Sequence, residues 1–219
     1  LDAGRERLGL ELVAGESGLR RVIREPMVHR PGLALSGFYG HFARKRIQVV
    51  GMAEYAYLSS LPEEKRVQRI NELFGLKIPC VVFTRGKRVF PEVRCAAERD
   101  NVCVLRTGMV TRHFIQTATF VLEDLHAPRC KAYGTMMEVA GVGVFIEGAA
   151  GMGKSETALG LIKHGHALVA DDLTLLRRDS NGNLMGSAVS VTRYYMEIRG
   201  IGIIHVPSVF GVSAVRGEK

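Results

Sequence analysis

The 219-residue sequence contains no tryptophan, and aromatic residues make up only 7% of it. Proteins specialised for single-stranded nucleic acid stack bases on exposed aromatic rings, so we do not expect that function here. Four cysteines stand at positions 80, 95, 103 and 130, and no two of them lie within four residues of each other. This spacing excludes the CxxC pairs of a zinc site and favours reduced thiols over a disulfide framework.

Long apolar runs are absent as well. No stretch approaches the roughly 20 apolar residues of a membrane-spanning helix, and the N-terminal LDAGRERLGLELV has no apolar signal-peptide core. We therefore expect a cytoplasmic protein with no membrane partner.

Positive charge is in excess: the sequence has 30 Lys and Arg residues and 22 Asp and Glu residues, a formal net charge of +8. Such a surplus indicates an anionic partner, which charge alone does not identify.

Short apolar segments alternate with helical patterns through the first half of the chain. The pattern predicts strands at 46–51, 78–86 and 101–107, and helices from Pro62 to Gly75, at 91–100 and at 111–128. This alternation is typical of helices packed on a parallel sheet. We predict an α/β fold with an N-terminal three-layer domain over residues 1–126 and a second domain over 127–219.

The strongest functional signal is GAAGMGKS, which matches the phosphate-binding pattern G-x-x-x-x-G-K-[ST] at every fixed position. An apolar strand is predicted before it, at 142–147, and a helix after it, at 155–165. The glycines would let backbone N–H groups turn toward one phosphate, the lysine would reach the outer phosphates, and the serine would bind Mg²⁺. The predicted nucleotide-binding residues are Gly148, Ala149, Ala150, Gly151, Met152, Gly153, Lys154 and Ser155.

Two carboxylates follow the next predicted strand, in HALVADD at 166–172. If the two strands are parallel neighbours, Asp171 and Asp172 lie beside the phosphate loop. One could hold Mg²⁺ and the other could accept a proton from an attacking hydroxyl. The alternative is that one of them is a helix cap or turn residue. Further on, MEIRGIGIIHV at 196–206 reads as a strand or tight turn, in which Glu197 is a weaker functional candidate.

Together these segments resemble the bacterial HPr kinase/phosphorylase family. The resemblance rests on GMGKSETAL at 151–159, GHALVADD at 165–172 and MEIRGIGII at 196–204, and it extends to HRPGLALSGF at 29–38 and LEDLHAPR at 122–129. It implies an ATP-dependent kinase that phosphorylates a serine of the phosphocarrier protein HPr in carbon-source regulation. It also implies the reverse reaction with inorganic phosphate, a C-terminal domain similar to phosphoenolpyruvate carboxykinase, and a homohexamer.

The resemblance also implies roles for individual residues. Lys154 matches the lysine that contacts phosphate, Ser155 and Glu197 match the Mg²⁺ ligands, and Asp172 matches the carboxylate that exchanges the serine proton. Family members usually have His-Gly where this chain has Tyr133-Gly134. A tyrosine, with an ordinary pKa of about 10, is a poorer proton shuttle at neutral pH. The family also continues past the end of this sequence, so we expect a catalytic domain shortened at its C-terminus.

Three other functions stay open at this point. A nucleotide-binding regulatory module that has lost catalysis would explain the tyrosine at position 133. A small-molecule kinase could use the same phosphate loop with another acceptor. A nucleic-acid-binding protein would use the positive charge, although the basic residues are dispersed and we expect no nucleic-acid partner.

Overall fold

The computed structural model describes residues 2–179 and 181–219. The chain divides into two compact units, Leu1–His126 and Ala127–Lys219, and each has its own buried apolar core. None of the helices formed by these residues has the length and apolar character that crossing a bilayer requires.

The first unit is built on a five-stranded sheet with the strand order β1-β5-β4-β3-β2. The strands are β1 (Glu11–Ala14), β2 (Val28–His29), β3 (Ile47–Val50), β4 (Cys80–Phe83) and β5 (Cys103–Arg106). The helices are α1 (Asp2–Arg5), α2 (Gly32–Leu35), α3 (Met52–Ser60), α4 (Glu63–Gly75), α5 (Pro91–Asp100) and α6 (Thr111–His126), with a 3₁₀ helix at Glu16–Arg20. Strands β2 to β5 are parallel, as the alternating pattern predicted, and only β1 pairs antiparallel.

Helices cover both faces of this sheet. Alternate residues of a strand point to opposite faces, so Val81 and Phe83 join the core formed with α3, α4 and α5, whereas Cys80 and Val82 join the core formed with α6. Phe114 of α6 is fully buried in that second core. The first unit therefore has three layers, as predicted.

The second unit is built on smaller sheets, of two or three strands each. Its strands are β6 (Arg129–Tyr133), β7 (Thr135–Val139), β8 (Val142–Ile146), β9 (Ala167–Ala170), β10 (Leu173–Arg178), β11 (Leu184–Ala188), β12 (Tyr195–Ile198) and β13 (Gly202–His205). Its helices are α7 (Lys154–Lys163) and α8 (Val206–Phe210), followed by a 3₁₀ turn at Val212–Ala214. The strands pair as β8-β7-β9, β11-β10-β6 and the hairpin β12-β13.

The predicted parallel neighbours β8 and β9 are not adjacent. Strand β7 lies between them and pairs antiparallel with both. The cause is a tight turn between β7 and β8: Ala140 and Gly141 both have positive φ angles, 50° and 84°, as in the two-residue turns that match the twist of a hairpin. Strands β8 and β9 still run in the same direction, so their carboxyl ends reach the same edge of the sheet.

Candidate active site

The phosphate loop connects β8 to α7 and turns sharply at two glycines. Gly151 and Gly153 have φ angles of 84° and 88°, in the left-handed region that favours glycine. Gly148 is not among the residues with a positive φ angle. The loop ends at the N-terminus of α7, where unpaired N–H groups and the helix dipole favour an anion.

Lys154 folds back over this loop. Its Nζ donates hydrogen bonds to the carbonyl oxygens of Gly148 and Ala149, at 2.9 and 3.1 Å. The amide of Met152 donates to the same Ala149 carbonyl at 3.2 Å, and the Met152 side chain is 75% exposed. The ammonium group is therefore already held beside the loop, where an outer phosphate would exchange for the two carbonyls.

An open cavity of about 400 Å³ adjoins the loop. Its lining combines residues of the phosphate loop, the turn after β9 and the β12-β13 hairpin. Seven of the predicted site residues line it: Ala150, Gly151, Gly153, Lys154, Ser155, Asp172 and Glu197. The others do not: Gly148, Ala149, Met152, Asp171 and Tyr133 lie outside the lining.

Asp171 lies beneath the cavity, with 8% of its surface exposed. Its Oδ1 accepts a hydrogen bond from the Thr135 hydroxyl at 2.8 Å, and its Oδ2 accepts one from the Glu197 amide at 3.2 Å. The Ser155 hydroxyl lies 3.4 and 3.5 Å from the two oxygens. Burial raises the pKa of Asp171 above its usual value, and the hydrogen bonds from Thr135 and the Glu197 amide offset part of that rise.

Asp172 takes a different position from its neighbour. Its φ angle of 60° places it in the left-handed region, which aspartate tolerates better than most residues. Its carbonyl oxygen accepts the Gly134 amide at 2.9 Å, while its side chain is exposed and lines the cavity. The turn thus separates two consecutive carboxylates into one buried and one solvent-facing group.

Glu197 reaches the cavity because of strand alternation. Met196 and Ile198 are buried on the core face of β12, so the side chain of Glu197 points to the opposite, exposed face. The sequence alone left this segment between a strand and a tight turn; it forms a hairpin in which Glu197 pairs with Ile203.

Sequence reasoning missed two residues at this site. Thr135 is fully buried in β7, outside every motif, and a lone threonine gives no sequence signal. Arg199 lines the cavity and lies over the loop: a Cβ atom built on Gly151 would be 3.1 Å from an Arg199 guanidinium nitrogen. Its proximity follows from the fold of the hairpin and not from spacing along the chain.

Tyr133 is the last residue of β6 and pairs with Leu173 in β10. Its side chain is 82% exposed. The following Gly134 is required by close packing, because a Cβ atom there would lie 2.5 Å from Cζ of Phe145 and 2.7 Å from the carbonyl oxygen of Ile146. Tyr133 therefore lies opposite Leu173, the residue that follows Asp172, and its ring is outside the cavity lining.

The donor atoms at this site suit Mg²⁺. The Ser155 hydroxyl and the carboxylates of Asp171, Asp172 and Glu197 are oxygen donors, which this hard cation prefers. No group of three His, Cys, Asp or Glu side chains arranged for a metal occurs within residues 2–179 and 181–219. A nucleotide-bound Mg²⁺ usually takes one or two protein ligands together with phosphate oxygens and water, so the residues fit that mode of binding.

Comparison with known proteins gives a consistent result for both units. The family model for the HPr Serine kinase N terminus matches residues 5–122, and the model for the HPr Serine kinase C-terminal domain matches residues 124–219. An HPr kinase/phosphorylase from Exiguobacterium sp. is 44% identical over 98% of this chain and 69% of its own length. The HPr kinase/phosphorylase of Bacillus subtilis is 38% identical over the same shares.

The chain spans about two thirds of the length of these curated relatives. Among solved structures, the Hpr(Ser) kinase/phosphatase from Coxiella burnetii is 43% identical over 41% of this chain and 53% of its own chain, with a TM-score of 0.39. The two family models together cover almost every residue, and the curated relatives are 38% and 44% identical to this chain. The chain belongs to the HPr serine kinase family.

Proposed function

We propose that this chain carries the catalytic site of an ATP-dependent kinase that phosphorylates a serine of HPr and reverses the reaction with inorganic phosphate. The observation that supports this proposal is the assembly of a complete phosphate loop, an exposed carboxylate and a second carboxylate on a hairpin around one cavity. HPr is proposed as the acceptor because the relatives are named HPr kinase/phosphorylase.

The loop and its lysine bind the nucleotide phosphates. Backbone amides of residues 149–155 surround one phosphate, and Nζ of Lys154 leaves the carbonyl oxygens of Gly148 and Ala149 to contact the outer phosphates. Lys154 is already beside the loop, so its ammonium group is close to the phosphates that the loop would bind.

Ser155 and Glu197 would hold Mg²⁺, which neutralises charge on the phosphates when it is bound. Asp171 positions both groups: its carboxylate lies within 3.5 Å of the Ser155 hydroxyl and accepts the Glu197 amide. It therefore aligns the start of α7 with strand β12. Asp171 thus serves as a positioning residue and Asp172 as the proton acceptor.

The side chain of Asp172 lines the cavity and is open to solvent, so the hydroxyl of an incoming serine can approach it. In the forward direction Asp172 takes the proton of that hydroxyl as its oxygen attacks the γ-phosphorus of ATP and ADP leaves. In the reverse direction an oxygen of inorganic phosphate attacks the phosphoserine, Asp172 returns the proton to the serine oxygen, and pyrophosphate is formed. Catalysis then rests on positioning and on neutralising charge.

Tyr133 gives a reason to expect a weaker reverse reaction. The resembling proteins usually have histidine at this position, whereas the Tyr133 ring is exposed outside the cavity lining. A regulatory module that binds ATP without transferring phosphate is the second candidate function, and this tyrosine is the observation that favours it.

The test is to incubate the full-length gene product with γ-³²P-ATP, Mg²⁺ and HPr, and then to chase with inorganic phosphate. Label on a serine of HPr supports the kinase, and labelled pyrophosphate in the chase supports the reverse reaction. ATP binding without label on HPr would contradict the kinase and leave the regulatory module. A homohexamer and a cytoplasmic location are proposed from the family resemblance, and sedimentation of the purified protein tests the hexamer.

A further inference from the structure

The first unit contains a positively charged cavity of about 420 Å³, which the proposed kinase chemistry does not use. It is open to solvent and lies at the carboxyl edge of the parallel strands. Its lining consists of Arg30, Met52, Arg85, Val110, Thr111, Arg112, Ile115 and Gln116.

Each of the four parallel strands contributes to this lining just beyond its carboxyl end. Arg30 follows β2, Met52 follows β3, Arg85 follows β4, and the segment 110–112 follows β5. The chain after β4 leads to α5 on one face of the sheet, and the chain after β5 leads to α6 on the other face. Ligands of open α/β sheets bind where neighbouring connections diverge in this way.

The charge of the lining is all of one sign. It contains three guanidinium groups and no carboxylate. Arg30 is held by a bidentate pair with Glu54, at 3.0 and 2.8 Å, and the Glu54 side chain is only 6% exposed. Across the described part of the chain, Arg85 and Arg112 are exposed and have no ion pair or side-chain hydrogen bond. Two free guanidinium groups beside a fixed third one are arranged to bind an oxyanion.

The backbone around the cavity also favours binding of an oxyanion. Arg85 has a φ angle of 60°, an uncommon conformation for arginine, and its side chain lines the cavity. The cavity also includes the first turn of the 16-residue helix α6, whose N–H groups lack partners within the helix. A Cβ atom on Gly51 would meet Thr111 at 3.0 Å, so glycine allows the end of β3 to approach the start of α6.

Three of the other lining side chains are apolar. Met52 and Val110 are exposed by 48% and 39%, and Ile115 lies beside them. A free inorganic anion would leave these side chains in water, whereas an organic group attached to the anion would cover them. A cavity of this volume holds a small metabolite.

We propose that this cavity, at the carboxyl edge of β2 to β5, binds a phosphorylated small organic molecule. Arg30, Arg85 and Arg112 contact the phosphate, and Met52, Val110 and Ile115 contact the organic part. The lining lies wholly within the first unit and shares no residue with the phosphate loop, so its ligand need not be a substrate of the proposed kinase.

The test uses phenyl phosphate as the probe, in a Lys154→Ala background that disables the phosphate loop of the second unit. Amide chemical shifts of the isotopically labelled chain report where the probe binds. We expect shifts concentrated at residues 51–52, 85 and 110–116, and tighter binding of phenyl phosphate than of inorganic phosphate. Shifts absent from these amides, or tighter binding of inorganic phosphate, would overturn the proposal.

Three variants complete the test. Arg112→Gln and Arg85→Asn should each weaken phenyl phosphate binding about tenfold, the loss expected for one charged hydrogen-bonded contact. Asparagine is chosen at position 85 because it tolerates the left-handed backbone. Arg94→Gln is the matched control, since it removes an exposed charge from α5 outside the cavity. Equal weakening by all three variants would show only a general charge effect and would refute the site.

Discussion

Replacing Thr135 with valine should destabilise the second unit more than the same change at Thr174. Both threonines are fully buried in this unit, and both lose one hydroxyl while keeping their shape. Their hydrogen bonds differ: Thr135 donates to the Asp171 carboxylate at 2.8 Å, and Thr174 donates to the Gly134 carbonyl at 3.1 Å. Hydrogen bonds to charged acceptors contribute more to stability than those between neutral groups.

The expected losses of stability differ because one hydroxyl donates to a carboxylate and the other to a backbone carbonyl. We expect a loss of about 1 kcal/mol in the free energy of unfolding for Thr174→Val, and of about 2 to 3 kcal/mol for Thr135→Val. The difference reflects the buried Asp171, which would keep the Glu197 amide as its remaining close donor. Because valine replaces threonine in both variants, changes in apolar burial largely cancel between them.

The assay is urea unfolding followed by circular dichroism, in buffer with EDTA so that bound cations do not contribute. Amide exchange in strands β7 and β10 assigns each loss to the second unit. Equal losses in the two variants, or a larger loss for Thr174→Val, would refute the argument that Asp171 is an ionised group held by Thr135.

Three further predictions concern packing, titration and the reverse reaction. Gly134→Ala should lower the free energy of unfolding by about 1 to 3 kcal/mol, because its Cβ atom would overlap Phe145. Gly160→Ala should instead raise it by up to about 1 kcal/mol, because nothing lies within 4 Å of a Cβ atom at this position in helix α7. Thermal unfolding of the two variants makes the comparison. Burial and the hydrogen bond to Glu72 raise the pKa of Tyr39 to about 12. The stabilisation from this hydroxyl is therefore present below pH ~10 and is lost as the pH rises toward 12. An alkaline absorbance titration should show a tyrosine ionising near pH 12, and this ionisation should be absent in Tyr39→Phe. Tyr133→His should increase pyrophosphate formation from phosphorylated HPr more than it changes the forward rate, and an unchanged ratio of the two rates would contradict the role assigned to position 133.

Much of the fold could be read from the sequence because its signals are local. Pro91 begins α5 and the alternation of apolar segments identifies β3, β4 and β5, since each signal lies within the element it specifies. The position of β7 could not be read in this way. Strand pairing depends on the turn at Ala140 and Gly141 and on packing between distant segments, and neither is visible in the pattern around the phosphate loop.

In the candidate site, too, only the residues of a contiguous motif could be predicted from the sequence. The phosphate loop is a contiguous motif with a stated chemistry, so Lys154 and Ser155 could be named from spacing alone. The different environments of Asp171 and Asp172 could not, because they arise from one left-handed residue after β9. Arg199 was missed because its neighbour in space, Gly151, lies 48 positions away in the sequence.

Two lysines at opposite ends of α7 provide a matched test of the catalytic phosphate loop. Lys154, the first residue of the helix, contacts the phosphate loop, and Lys163, the last residue, is exposed away from the cavity. The rate of serine phosphorylation of HPr from ATP and Mg²⁺ is measured for the full-length gene product with each lysine changed to alanine. We expect a loss of about a hundredfold or more for Lys154→Ala and an unchanged rate for Lys163→Ala. Wild-type transfer by Lys154→Ala, with its fold intact by circular dichroism, would contradict the assignment of this loop as the catalytic phosphate site.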